Sequence, residues 1–161
     1  MLAYYSLVIK QRKMDNTITL SPEFAIAGQL TPEQLQSAKE AGYQSVVNLR
    51  VSEEQGFIDN QEAAEKAGLQ YVHIPVSPKD IQEISPVAEQ VLAELDQLPK
   101  PVLVHCGSAL RAGGMVLAYL GTRQGKTAEE VIAQGKQAGF TVIDSKPPLK
   151  QFIEECIKTH S

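Results

Sequence analysis

The chain contains no tryptophan, only two cysteines, no excess of basic charge and no long apolar run. Each shortage removes a class of function. Cys106 and Cys156 fall in different predicted elements and form no CxxC pair, which argues against a disulfide framework or a zinc site and for a reduced, cytoplasmic protein. Fifteen Lys and Arg against nineteen Asp and Glu leave a formal net charge of −4. With no basic stripe to neutralise phosphates, nucleic acid is not an expected partner. The most apolar stretch, Leu2 to Ile9, is eight residues long, too short to span a bilayer. Its basic residues Lys10, Arg12 and Lys13 follow it, the reverse of a secretory signal. Met14 is a plausible alternative start, so residues 1–13 are expected to be an accessory tail. Residues 14–161 should form a single domain, long enough for a real core.

What is present alternates between strand and helix patterns. Phe24–Gly28 reads as a first extended segment. Thr31-Pro32-Glu33-Gln34 is a helix start, with Thr31 as N-cap, Pro32 in the first turn and Gln34 closing a capping box; Gly42 ends that helix. Tyr43–Leu49 is a strand with Arg50 at its carboxyl end. Glu53–Ile58 has no period and reads as loop, Asp59–Ala67 as a helix stopped by Gly68, and Tyr71–Ile74 as a strand halted by Pro75. After the loop Val76–Asp80, Ser85-Pro86 opens a helix whose face is Val87, Val91, Leu92 and Leu95. A buried strand over Pro101–Val104 leads through a short loop into a helix running to about Gln124. Gly113 and Gly114 near its start should let it lie close on the sheet. Thr127 and Glu130 form a second capping box. Leu149, Phe152, Ile153, Cys156 and Ile157 mark the inner face of a last helix, which makes Cys156 a core residue. This order implies an α/β fold with a mostly parallel central sheet of four to five strands flanked by helices, and a site at the carboxyl ends of the strands.

Cys106 stands at such an end. Backbone N–H groups and the positive end of a helix dipole converge where a strand turns into a helix, and they favour a thiolate, the nucleophilic form. Arg111, five residues on, offers a planar donor fork for an oxyanion. A cation in the first turn of its own helix is electrostatically ill placed unless an anion is expected there. His105 and the loop residues Gly107, Ser108, Ala109 and Leu110 complete the candidate cradle. Asp80 is the candidate acid for a leaving group. Arg50 is either a second anion contact or the partner of Glu53 or Glu54. His73 reads as structural, and Gly28 and Gln29 could lie at the mouth of the site. Neither metal nor cofactor is called for.

His105-Cys106, four residues and then Arg111, set between a buried strand and a helix, resembles the active loop of the cysteine-dependent tyrosine and dual-specificity phosphatases, whose loop is one residue longer. The chain is similar over most of its length to the bacterial beta-lactamase hydrolase-like phosphatase-domain family, through Gly28-Gln29-Leu30, Ala41-Gly42-Tyr43, Val46–Arg50, Ala67-Gly68, Tyr71–Pro75 and Pro101–Cys106. That resemblance implies a tyrosine-phosphatase-like fold and hydrolysis of phosphate monoesters, of a phosphorylated protein or a small phosphoester. Cys106 would be the nucleophile and Arg111 the phosphate-binding residue. Three positions depart from the family loop: Gly107 for an Arg, Ala109 for a Gly, and Ala112 for the hydroxyl residue that follows the Arg. Loss of that hydroxyl implies slow turnover. Ser77 stands where related phosphatases often keep their acid, which leaves Asp80. A loop of this length also resembles that of rhodanese-type sulfurtransferases, so a Cys106 persulfide is the alternative chemistry, and a weakly active phosphate-binding module the third.

Overall fold

The computed structural model describes residues 14–82 and 86–160; the expected tail over residues 1–13 lies outside them. Five strands form one sheet: β1 (Thr17–Thr19), β2 (Phe24–Ala27), β3 (Ser45–Asn48), β4 (Gln70–His73) and β5 (Val102–His105). Their spatial order is β1-β2-β5-β3-β4, with β1 antiparallel to β2 and the remaining pairs parallel. The helices are α1 (Pro32–Glu40), α2 (Gln61–Lys66), α3 (Pro86–Gln97), α4 (Leu110–Gln124), α5 (Ala128–Ala138) and α6 (Pro147–His160), with 3-10 turns over Pro78–Ile81 and Val142–Ser145. None of the helices described is long and apolar enough to cross a membrane.

The period-two alternation of the strands divides the core. Ile26, Val47 and Val104 lie on one face beneath α3, α4, α5 and α6. Ala25, Val46 and Leu103 lie on the other, in a cluster with Leu35 and Ala38 of α1 and Ala64 of α2. Both capping boxes form: the Thr31 side chain accepts from the Gln34 amide while Gln34 accepts from the Thr31 amide, and Thr127 and Glu130 do the same. Helix α4 is buried on every side from Arg111 to Gly121, as expected of a helix held between a sheet and further helices.

Two expectations need correction. The strand β1 is absent from the sequence reading, because Thr17-Ile18-Thr19 is too short for an alternation to register and pairs only at the sheet edge. Gly113 and Gly114 do make close approaches, but to Phe140 and to Leu149 of α6 rather than to the sheet: a Cβ on Gly114 would lie 2.5 Å from Leu149 Cδ1.

The register sets up the site. Ala27, His105, Asn48 and His73 lie side by side as the last row of β2, β5, β3 and β4. The residues next in the chain after this row all leave the sheet at the same edge.

Candidate functional site

Cys106 is the first residue beyond β5. Its amide donates to Ala27 O at 3.2 Å, and its side chain is fully buried. The next loop is tied down by the end of β2: Gly28 bridges Ser108, and the Gln29 amide donates to Gly107 O. Gly28 is required here for space, since a Cβ on it would sit 2.8 Å from Gly107 O. Ala109 ends the loop in the left-handed region, with φ 70° and ψ −5°. A residue with a Cβ is disfavoured there by about 1–2 kcal/mol. Helix α4 then starts without a side-chain cap, so its first-turn amides keep their anion-binding capacity.

The two arginines converge on Gly107. A Cβ at that position would lie 3.4 Å from Arg111 Nη2 and 3.6 Å from Arg50 Nε. Between them stands Glu54, which the turn Val51–Glu54 presents and the Val51 amide fixes at 2.6 Å. Arg111 Nη1 donates to Glu54 Oε2 at 2.7 Å and to Val76 O at 2.8 Å, and Nη2 donates to Glu54 Oε1 at 2.6 Å. These bonds use both Nη1 hydrogens and one on Nη2. The Nε–H and the outer Nη2–H, which point the same way, are left for the Cys106 sulfur and for a bound oxyanion. Glu54 chiefly holds the Arg111 pKa above its ordinary value, and Cys106 adds to the effect. Reciprocally, the hydrogen bond from Arg111 lowers the Glu54 carboxyl to about 2.

Arg50 engages three of its five donors. Nε donates to Glu54 at 3.2 Å, Nη1 to Gln29 Oε1 at 2.7 Å and Nη2 to Gln55 O at 2.7 Å. Its backbone is held too: the amide donates to Asn48 Oδ1 and the carbonyl accepts from His73 Nε2 at 2.6 Å. His73 is thus the support of a buried loop, in keeping with the structural reading of it. Asp80 lies in the turn Pro78–Ile81, where its Oδ2 accepts from the Ser77 amide at 2.8 Å and the Ser77 hydroxyl at 3.0 Å. That carboxylate is occupied in closing its own turn. Leu110 is half-buried and opens α4.

His105 is fully buried, and neither ring nitrogen has a hydrogen-bond partner among the described residues. Burial pulls its pKa down to about 4 against a smaller opposing contribution from the Cys106 backbone. No cluster of three or more metal-ligating side chains occurs among the described residues. The residue that sequence reasoning missed is Glu54 as the partner of Arg111. Its place four residues after Arg50 signals only the local pair; nothing in the chain marks a contact across 57 positions.

Comparison with known proteins places this arrangement. The family model for the phosphatase-like domain of beta-lactamase hydrolase-like protein matches residues 16–124. A beta-lactamase hydrolase-like protein of Xylella fastidiosa is 33% identical over 128 residues, 76% of this chain. The chain spans only 29% of that relative's length. Among solved structures, a candidate phosphatase of Shewanella putrefaciens CN-32 aligns with a TM-score of 0.74 at 21% identity, covering 96% of this chain and 99% of that one. A cysteine-to-serine form of P. aeruginosa TpbA in complex with pTyr aligns with a TM-score of 0.64 at 16% identity, covering 92% and 95%. The fold is that of these phosphatases.

The geometry has two measurable consequences. His105 is neutral in the folded chain down to about pH 4, whereas an unfolded histidine takes a proton near 6.5. Stability should therefore fall from its neutral-pH value as pH drops from 6.5 to 4, by about 3 kcal/mol in all. Glu54, lowered from 4.5 to about 2, adds a further loss below pH 4.5. Urea unfolding across pH 3–8 checks this, and His105→Gln should flatten the upper window alone. Separately, Ala109→Gly should stabilise the fold by up to about 1 kcal/mol, the relief of the left-handed strain less the entropy of a freer unfolded chain.

Proposed function

The chain belongs to the phosphatase-like domain family of beta-lactamase hydrolase-like proteins, and from that premise we propose that it is a cysteine-dependent phosphatase acting on phosphate monoesters. The observation that carries the reading is the placement of the Arg111 guanidinium beside the Cys106 sulfur, clamped by Glu54 so that one donor edge stays open. A fixed, doubly hydrogen-bonded cation next to a nucleophile suits an oxyanion whose charge is held through the transition state.

In this reading the Cys106 sulfur attacks phosphorus in line with the ester oxygen. An S–P bond forms as the P–O bond breaks, and the amides of residues 106–111 with Arg111 hold the non-bridging oxygens. His105, Gly107, Ser108, Ala109 and Leu110 shape that cradle. Arg50, three of its five N–H donors engaged by Gln29, Glu54 and Gln55, acts as a positioning residue that carries Glu54 and the loop, and keeps one hydrogen on each Nη for an oxyanion. With Oδ2 bound to Ser77, Asp80 serves the leaving group through Oδ1 alone. Esters with good leaving groups, aryl ones above all, should then react fastest. Water hydrolyses the cysteinyl-phosphate. Ala112 offers no hydroxyl to assist, so this second step is slow. Because Cys106 is fully buried, the loop has to open for the phosphate to enter. Phosphoprotein or small phosphoester substrates both fit, pTyr being what the TpbA form binds. A reducing cytoplasm would keep both cysteines as the free thiols they are.

The test is turnover of p-nitrophenyl phosphate beside a thiosulfate-to-cyanide assay on one preparation. Wild type should act on the aryl phosphate, and Cys106→Ser should abolish it. Activity that survives in Cys106→Ser, or sulfur transfer without phosphate release, overturns the reading. Glu54→Gln, which frees Arg111 without removing it, should lower kcat/KM roughly ten- to a hundredfold, while far-UV circular dichroism stays that of the wild type.

A further inference from the structure

A hollow adjoins the cradle on the side of the Asp80 turn. It measures about 250 Å³ and is lined by Pro78 and Ile81 of that turn, Leu110 at the start of α4, and Pro148 and Leu149 at the start of α6. Lys146 and Gln82 are its polar members. Leu110 belongs both to this wall and to the Cys106–Arg111 loop, so the hollow lies against the cradle. Its apolar lining suits a ring or short hydrocarbon body.

The charge of the lining is one-sided. It holds one cation and no carboxylate, on a chain whose formal net charge is −4. Lys146 is exposed and forms no ion pair or side-chain hydrogen bond among the described residues, whereas Lys136, ten residues earlier, is paired with Asp144 at 2.5 Å. Asp80, the nearest carboxylate along the turn, is directed to Ser77. A lysine at the rim of an apolar hollow lays its stem against the hydrocarbon and holds its ammonium in water.

Building on the phosphatase reading, we infer that this hollow receives the leaving group of the substrate, and that the preferred substrate is an aryl-type phosphate monoester carrying a second anionic group, which Lys146 recognises. The cradle takes the phosphate, the hollow takes the ring, and the ammonium selects the second charge. Lys146 here is a specificity-determining residue; it touches no reacting atom.

The experiment compares phenyl phosphate, 4-carboxyphenyl phosphate and glycerol 3-phosphate. Wild type should prefer them in the order carboxylated aryl, plain aryl, glycerol. The ratio of kcat/KM for 4-carboxyphenyl over phenyl phosphate should fall about threefold in Lys146→Ala and about tenfold in Lys146→Glu at low ionic strength, and less in added salt. A ratio unchanged in both variants, or glycerol 3-phosphate used as well as phenyl phosphate, overturns the inference. Calorimetric binding of the same three esters to Cys106→Ser protein, with and without Lys146→Glu, gives the selectivity without turnover. Retention of the binding ratio with no wild-type turnover overturns the phosphatase reading and upholds the hollow. Equal affinities, or no binding at all, overturn the hollow.

Discussion

One carboxylate holds two guanidiniums together. Arg50 and Arg111 both lie against Gly107, and two like charges so close, largely out of water, would repel strongly if left alone. Glu54 accepts from both and from the Val51 amide, and with its pKa near 2 it stays ionised throughout the range in which proteins work. The balance of the three is one positive charge. That suits a site meant to receive an anion: a neutral cluster would offer no attraction, and two free cations would not keep still. Removing one member of such a group costs far more than the group contributes as a whole, because a buried charge is left unpaired.

The sheet decides that this group can exist. Its strands end in one row, Ala27, His105, Asn48 and His73, and each strand end supplies a different part of the site. The end of β2 gives Gly28 and Gln29, which pin the cradle loop and Arg50. The end of β3 gives Arg50 itself, held by Asn48 and, from β4, by His73. The end of β5 gives Cys106. Parallel strands deliver these residues to a common edge without any being near another in sequence, which is the physical content of the rule that ligands bind there. Among the described residues the His105 ring, next in the chain to Cys106, is the unpartnered polar group the row carries.

Local signals were the legible ones. Thr31 with Gln34 and Thr127 with Glu130 announced their helices, because a capping box is complete within four residues. Cys106 and Arg111 were legible for the same reason: strand, loop and helix start are contiguous, and the chemistry of the pair is short-range. The Arg50–Glu54 pair could be read as one of two options. What escaped depends on the third dimension. The bond from Glu54 to Arg111 joins segments that only the sheet brings together. The edge strand β1 exists only by pairing with β2. Gly113 and Gly114 announced close packing but could not say against what, since a glycine records the approach and not the approaching group. Asp80 shows a further limit, for a carboxylate's place in the chain carries no sign of the hydrogen bonds already claiming it.

The loop between Cys106 and Arg111 has four residues in which to leave a strand and enter a helix. Ala109 makes the turn by adopting φ 70°, a conformation that a residue with a Cβ takes only when its surroundings impose it. The imposition comes from both sides. Gly28 closes against Gly107 beneath, and α4, buried from Arg111 to Gly121, fixes where the chain must arrive. A strain of about 1–2 kcal/mol is small beside the apolar area that α4 removes from water at roughly 25 cal/mol per Å², so the helix wins and the loop conforms. A loop that short runs from a fixed strand end to a fixed helix start, so the scaffold anchors Cys106 and Arg111 at its two ends, and the four residues between them are the ones left to move when a phosphate enters.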